Sequence, residues 1–300
     1  MTVNLYTQQD ANVRRTWFLM TGVFVLLVAL GWLFSQAYGD MTFLYVFAGV
    51  SIFGNIFAYW YSDKIALAVS GAQPVTREQN VRLYRIVENL CITAGLPLPR
   101  LYVLPGMQIN AFATGRNAQH AAVAVTEGAL ERLNDNELTG VLAHELSHVG
   151  NRDILVSTIV VVLAGVIAAL SNIFLRISMF GGRRRDDREG GGILFIVAIL
   201  AAVLAPIAAT LIQLAVSRKR EYLADASGAL LTRYPDGLAS ALEKIASDSA
   251  VLPRATNGTA HLYLSNPFRG RASSWFTGLF QTHPPIEDRI RILRGMDAAQ

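Results

Sequence analysis

Residues 16–35 read TWFLMTGVFVLLVALGWLFS, twenty positions without a charged side chain. At 1.5 Å of rise per residue, a helix of that length reaches about 30 Å, the thickness of a bilayer's hydrocarbon core. Arg14 and Arg15 stand immediately before it. A cleaved secretory leader would have an apolar core of about 7–15 residues and then small residues at a cleavage point. This run is longer, and a second one, residues 41–60, follows almost at once. The two together predict a helical hairpin that stays in the membrane. The link 36–40 holds no Lys or Arg, whereas Arg14, Arg15 and Lys64 flank the open end. Positive side chains are retained in the cytoplasm, so both ends of the hairpin are expected there and the link outside. Trp32, Trp60 and Tyr61 fall where interfacial aromatics belong.

The whole chain fits this start. Hydrophobic residues make up 52% of its 300 positions and charged ones only 16%, against about 25% charged in ordinary soluble domains. Net charge is a modest +4, and the arginines form no basic stripe with interleaved aromatics, which argues against nucleic acid as a partner. The single cysteine, Cys91, has no partner for a disulfide and no metal-ligand spacing around it, and is expected to be a small buried residue. Two further apolar segments, 154–175 and 193–216, enclose the charged, glycine-flanked stretch Arg183 to Glu189. If both span, that arginine-rich loop lies outside, against the positive-inside tendency. If they penetrate only partway, they pack on the protein itself. Their length favours a spanning hairpin. Either way the chain returns to the side it left, and Arg218, Lys219 and Arg220 mark that edge.

Between the hairpins the pattern turns polar and mixed. Thr76 with Gln79 forms a capping-box signature ahead of Leu83, Ile86, Val87 and Leu90, with Gly95 as the stop. Residues 100–104, 108–113 and 121–126 read as short strands. Asn134 with Glu137 opens a helix running toward Gly150. In the C-terminal part, Pro235 opens one helix, and Pro284-Pro285 opens another that carries Glu287, Asp288 and Arg289.

The helix after Asn134 carries His144-Glu145-Leu-Ser-His148. Residues four apart share a helix face, so both imidazoles can aim a ring nitrogen at one zinc ion. Glu145, beside them, can take a proton from water. With five His and ten Glu in the chain, chance would produce this pattern about 0.003 times. A catalytic zinc needs a third protein ligand and an open position. His120, His261, His283 and the acids are the candidates, and Glu221 stands out. His148 precedes the third segment, and Glu221 follows the fourth, by offsets of about 9 and 8 Å along a helix. A returning hairpin would bring them to one depth. Asp225, four residues on, shares the face of Glu221 and could hold a ligating His by its other ring nitrogen.

His144-Glu-Leu-Ser-His148, followed by Asn151-Arg-Asp153 and then Glu221-Tyr-Leu-Ala-Asp225 after a hydrophobic pair, resembles the HtpX-type membrane zinc metalloproteases. These are relatives of the CAAX-processing prenyl protease. The likeness extends to the N-terminal hairpin, to Asn110-Ala-Phe-Ala-Thr-Gly115 and to Thr282-His283-Pro284. It implies Glu221 as third ligand, Glu145 as catalytic base, one Zn2+ per chain and quality control of misfolded membrane proteins under stress. It also implies a multi-pass protein of a bacterial-type inner membrane whose active site faces the cytoplasm. Asn110, Ala111, Phe112 and Ala113 could form an edge strand that pairs with an extended substrate backbone. His283, between Thr282 and two prolines, could stabilise the oxyanion. His120 and His261 are expected to be non-catalytic.

The expected fold class is a mainly α-helical integral membrane protein of α+β type, with four hydrophobic segments and a zincin-like cytoplasmic metalloprotease domain carrying a small sheet. Its parts are an N-terminal hairpin (1–61), a catalytic region with the zinc helix (62–153), a second hydrophobic hairpin (154–216) and a C-terminal part completing the site (217–300). The expected partners are protein or peptide substrates and the lipid bilayer. A purely structural zinc would call for four protein ligands, mostly Cys and His. A transporter would need acids or histidines inside the apolar segments, and these segments hold none.

Overall fold

The computed structural model describes residues 5–180, 200, 203–204, 206–208, 210–211, 217–256, 258–268 and 284–297. The first two helices, α1 (Leu5–Tyr38) and α2 (Thr42–Ser70), form the hairpin, joined at Gly39, whose φ of +66° is the left-handed conformation glycine adopts freely. Helix α2 continues to Ser70, past the boundary expected at residue 61. A short strand β1 (Gln73–Pro74) leads to α3 (Val81–Ala94), then β2 (Arg100–Leu104), β3 (Ala111–Thr114) and β4 (Ala122–Thr126). Helices α4 (Glu127–Arg132), α5 (Asp135–Gly150) and α6 (Asp153–Phe180) follow, and after the second hydrophobic region come α7 (Arg218–Thr232), α8 (Pro235–Ser247) and α9 (Ile286–Asp297).

Three of the described helices are long and apolar enough to cross a membrane: Gln9–Tyr38, Thr42–Ser70 and Asp153–Arg176. Their packing explains why. Leu19, Val23, Leu27 and Leu30 recur at helical spacing on α1 and bury against Val156, Ile159, Leu163 and Ile167 of α6. The outward faces are large and apolar: Phe18 is 76% exposed and Phe53 74%. A soluble surface could not carry such a belt without aggregating, and hydrocarbon accepts it. The fourth expected segment, 193–216, falls largely outside the described residues, as does the arginine-rich loop before it. Of its described positions, Leu204, Ala208 and Leu211 join the α1–α6 core.

The sheet has the order β1-β2-β4-β3, with β2 and β4 parallel and the other pairs antiparallel. Alternation along its strands serves two cores. Leu101, Ala111, Ala113, Val123 and Val125 face Leu138, Val141, Leu142 and Leu146 of α5, with Leu83, Val87 and Cys91 of α3. Phe112, Ala122 and Ala124 face Ala66 and Leu67 at the end of α2 and Val161 of α6. The sheet thus ties the zinc-motif helix to the membrane helices. Burial of Cys91 pushes its thiol up to about 11, as befits a core residue.

Two local expectations are revised. Gln79 does reach back to the Thr76 N–H (2.8 Å), but the helix starts later. The Asn80 side chain accepts from the Leu83 N–H and caps α3, leaving 76–79 as a turn. Strand β3 begins at Ala111 instead of 108, because the Ile109 N–H donates to Asp248 and the Asn110 N–H to the Thr126 hydroxyl. Those donors are unavailable to a strand ladder. The capping box of α5 is complete in both directions, Asn134 with Glu137.

Helix α8 seats on α5 at Gly140, where an added Cβ would stand 2.6 Å from the Leu238 nitrogen and 2.8 Å from its Cα. Backbone cannot yield there as a side-chain tip can. Gly140→Ala is expected to destabilise the fold by about 1–3 kcal/mol through overpacking, read as a lower thermal midpoint in detergent. An unchanged midpoint would mean that α8 does not approach so closely.

Candidate metal centre

Helix α5 presents His144, Glu145 and His148 toward α7, which carries Glu221 in its first turn. Close approach of the two helices requires small residues at the crossing. Gly228 fills that role, since a Cβ there would lie 3.1 Å from the His144 nitrogen, and Ala224 is fully buried beside it. The Nε2 atoms of His144 and His148 stand 3.2 Å apart. Glu221 oxygens lie 3.8 Å from the first and 3.6 Å from the second. Two donors on one tetrahedral zinc are separated by about 3.3 Å when each bond is about 2.05 Å, so the three groups are spaced as such a ligand set would be. Among the described residues these three form the cluster of potential metal ligands, with their donor atoms within 4.8 Å of one another.

The far side of each imidazole is held by a carboxylate. His144 Nδ1 lies 2.9 Å from Asp225 Oδ1, and His148 Nδ1 lies 3.0 Å from Asp153 Oδ2. A proton on Nδ1 leaves the Nε2 lone pair free for a metal, the tautomer a zinc site needs. The carboxylates are themselves restrained. Arg289 of α9, with no exposed surface, donates twice to Asp225 from Nε (2.8 Å) and Nη2 (2.7 Å). Burial alone would raise Asp225, yet the Arg289 charge and hydrogen bonds, with His144, hold it at about 2. Asp153 accepts from Asn12 of α1 at 2.7 Å, and Arg220 lies 3.6 Å away. A left-handed Arg152 (φ 57°) between α5 and α6 turns the chain so that Asp153 comes back under His148.

Glu145 is buried at 3% exposure. Burial, with the Glu221 charge, raises its pKa, while His144, His148 and the Ala113 N–H that it accepts work in the opposite direction. A raised carboxylate beside a ligand cluster is the property of a proton acceptor near neutral pH. For His148, burial favours the neutral ring, but the Asp153 hydrogen bond and the charges of Glu221, Asp153 and Glu145 outweigh it and lift the group from 6.5 to about 9. A zinc ion must displace that proton. Apparent zinc affinity is therefore expected to climb about tenfold per pH unit between about pH 7 and 9 and then level off. In the metal-free fold the same proton is stabilising below pH 6.5, and its contribution is lost as pH rises through about 9. Chelator-competition titrations across that range check the first statement, and a flat profile would contradict it.

The cavity over the cluster is small, about 40 Å³, and is lined by Ala113, Glu145, His261 and the three potential ligands among others. Of the four residues expected to bind substrate, the structure brings Ala113 to this cavity. Strand β3 is an edge, as expected, but Ala111 O already accepts from the Leu264 N–H. The Asn110 amide is spent on Gln108 and Ser265, and Phe112 packs edge-on against Tyr263 in the core. His283 lies outside the described residues. His120 sits exposed on a 3-10 turn, bonded to Asn117. His261, set aside by the sequence reading, lines the cavity and lies 3.1 Å from the Ser157 carbonyl through Nε2. Asp153, Arg289 and Asn12 were also missed. Asp153 follows His148 by five residues, close enough to have been weighed, whereas Asn12 and Arg289 come from the two ends of the chain.

The chain matches known proteins over nearly its whole length. The family described as Peptidase family M48 matches residues 77–297. The chain is 44% identical over 297 residues to a protein of Thermoanaerobacter pseudethanolicus named Protease HtpX homolog, covering 97% of this chain and 98% of that one. It is 49% identical over 284 residues to one of the same name from Pyrococcus furiosus, covering 93% and 94%. The crystal structure of S. mikatae Ste24p superposes with a TM-score of 0.47 at 19% identity, over 97% of this chain and 67% of that chain.

Proposed function

The chain belongs to peptidase family M48, in its HtpX-type branch, and on that premise we propose that it is a zinc-dependent endopeptidase that hydrolyses misfolded or damaged membrane proteins at the cytoplasmic face. The observation that carries the reading is the meeting of His144, His148 and Glu221 donor atoms beside the buried Glu145. When bound there, zinc would supply a Lewis acid for the scissile carbonyl and lower the pKa of a water. His144, His148 and Glu221 would hold it. Asp225 and Asp153 keep both rings in the required tautomer and orientation. Glu145 accepts the proton of the attacking water and hands it to the leaving amine. The Ala113 N–H, hydrogen-bonded to Glu145, fixes that carboxylate against β3. The cavity over the cluster is small, about 40 Å³, which suits a substrate that enters extended, and Ala113 at the end of β3 lines it.

Membership of the family and, among the described residues, three helices long and apolar enough to cross a membrane point to a multi-pass membrane protein of a proteolytic family. The cytoplasmic orientation is our reading of Arg14, Arg15, Lys64 and the 218–220 cluster, and a bacterial-type inner membrane is what the family resemblance suggests. On this reading residues 62–153 and 217–300 work as one catalytic body around one zinc, with 1–61 and 154–216 as its anchors. The substrates are proteins, and membrane quality control is the biological setting that the family suggests. The test is cleavage of an unfolded protein in mild detergent, with zinc or with a chelator. Cleavage that chelation abolishes and zinc restores is expected. Cleavage indifferent to the metal would overturn the mechanism.

A further inference from the structure

We propose that a cleft between α1 and α7 binds the phosphate of an anionic lipid headgroup, and that its occupancy is felt at the metal centre through Asn12 and Arg220. The cleft is open and measures about 640 Å³. Asn12 and Arg15 line one side, and Lys219, Arg220 and Tyr222 the other, and none of the described lining residues is acidic. Arg15 and Lys219 make no ion pair among the described residues. Two exposed cations, Arg15 and Lys219, and the Tyr222 phenol around one open volume are a donor set for a phosphate, with the buried Arg220, already bonded to Asn12, behind them. Arg15 immediately precedes the uncharged run at 16–35, so the cleft lies where α1 leaves the hydrocarbon, at headgroup depth. Leu223 and Ala226 give it an apolar wall that a glycerol backbone can lie against and a free anion does not need. These features favour a lipid over inorganic phosphate as the source.

The route inward is a chain of hydrogen bonds. Arg220 Nη1 donates to Asn12 Oδ1 at 3.1 Å, and Asn12 Nδ2 donates to Asp153 Oδ1 at 2.7 Å and to the Asn151 carbonyl at 3.0 Å. The other oxygen of Asp153 meets His148. Arg220 also directly precedes Glu221 in sequence. A phosphate that offsets the mutual repulsion of Arg15 and Arg220 across the cleft steadies the first turn of α7 against α1, and with it both Glu221 and the support of His148. Asn12 and Arg220 are positioning residues in this scheme. Outer-sphere partners of this kind change metal affinity by about 10–100-fold. The binding half stands alone, while the coupling half rests on the metal reading above.

The experiment uses the full chain in nanodiscs of phosphatidylcholine, with or without phosphatidylglycerol. Native mass spectrometry should find phosphatidylglycerol retained preferentially by the wild type, and less of it by Arg15→Gln/Lys219→Gln. Lys219→Gln alone, which leaves the Arg14-Arg15 topology signal intact, should also retain less. Zinc affinity by chelator competition should be about tenfold tighter in the anionic discs, with that ratio falling to about one in the double variant. Inorganic phosphate added to the neutral discs should not reproduce the tightening, and if it does, the lipid is overturned as the source. Equal retention of both lipids by the wild type overturns the site, whether or not zinc binds. Preferential retention with the same zinc affinity in both discs overturns the coupling.

Discussion

Glu145→Gln is expected to lower zinc-dependent cleavage by about 10²–10⁴-fold, the span that a positioned general base contributes, while the protein keeps its zinc. The substitution preserves shape, and the amide oxygen can still accept the Ala113 N–H that the carboxylate accepts now. What disappears is the basicity. Loss of the charge acts on the metal site in two opposing ways. It removes one anion near the ion, and it also removes one of the charges that raise His148, which makes the competing proton easier to displace. Neither removes a donor atom, since His144, His148 and Glu221 are untouched. Zinc content measured beside the cleavage rate therefore separates a base from a ligand. A variant that cuts at the wild-type rate would show that the proton goes elsewhere, and one that is inactive because it is zinc-free would make Glu145 a structural member of the centre.

The parts of this protein that could be read from the chain are those whose logic is local. The hairpin followed from uncharged runs and flanking arginines, and the helix of the zinc motif from Asn134, Glu137 and the spacing of His144 and His148. Glu221 and Asp225 required one step of topology, namely that a hydrophobic pair returns the chain to its starting side, and Asp225 does meet the second nitrogen of His144. The support on the other ring is different in kind. Asn12 reaches Asp153 across 141 positions of sequence, and Arg289 reaches Asp225 across 64. No periodicity reports such pairings, because they are chosen by how α1 and α9 dock and by the cost of leaving a buried carboxylate without a partner. Asn110 is a case where folding adds partners that the sequence does not announce. Residues 110–113 read as an edge strand open to a substrate backbone, and in the fold the Asn110 amide closes the loop at Ser265 while the Ala111 carbonyl accepts from Leu264. His261 carries no expected role in the sequence, and folding brings it to the cavity all the same.

Glu221→Ala is expected to reduce zinc affinity by more than the roughly 10–100-fold typical of an outer-sphere change, because it removes the anionic donor that, among the described residues, joins the two imidazoles. Helix α7 should stay in place. Its seat on α5 depends on Ala224 and Gly228 and on the Asp225–Arg289 pair, none of which Glu221 supports directly. The metal-free variant should lose only the share of stability that Glu221 lends to the protonated His148, and the larger difference should emerge when zinc is added. A ligand that binds the native state alone at 100 times its Kd stabilises it by about 2.7 kcal/mol, and the variant should forfeit most of that gain at the same free zinc. Asp225→Asn and Asp153→Asn provide the internal scale. Each loosens one ring without removing a donor, so each should fall between wild type and Glu221→Ala in a chelator-competition series. If Glu221→Ala retains stoichiometric zinc where Asp225→Asn has lost it, Glu221 is not the third ligand, and the anion that completes the centre must come from elsewhere in the chain.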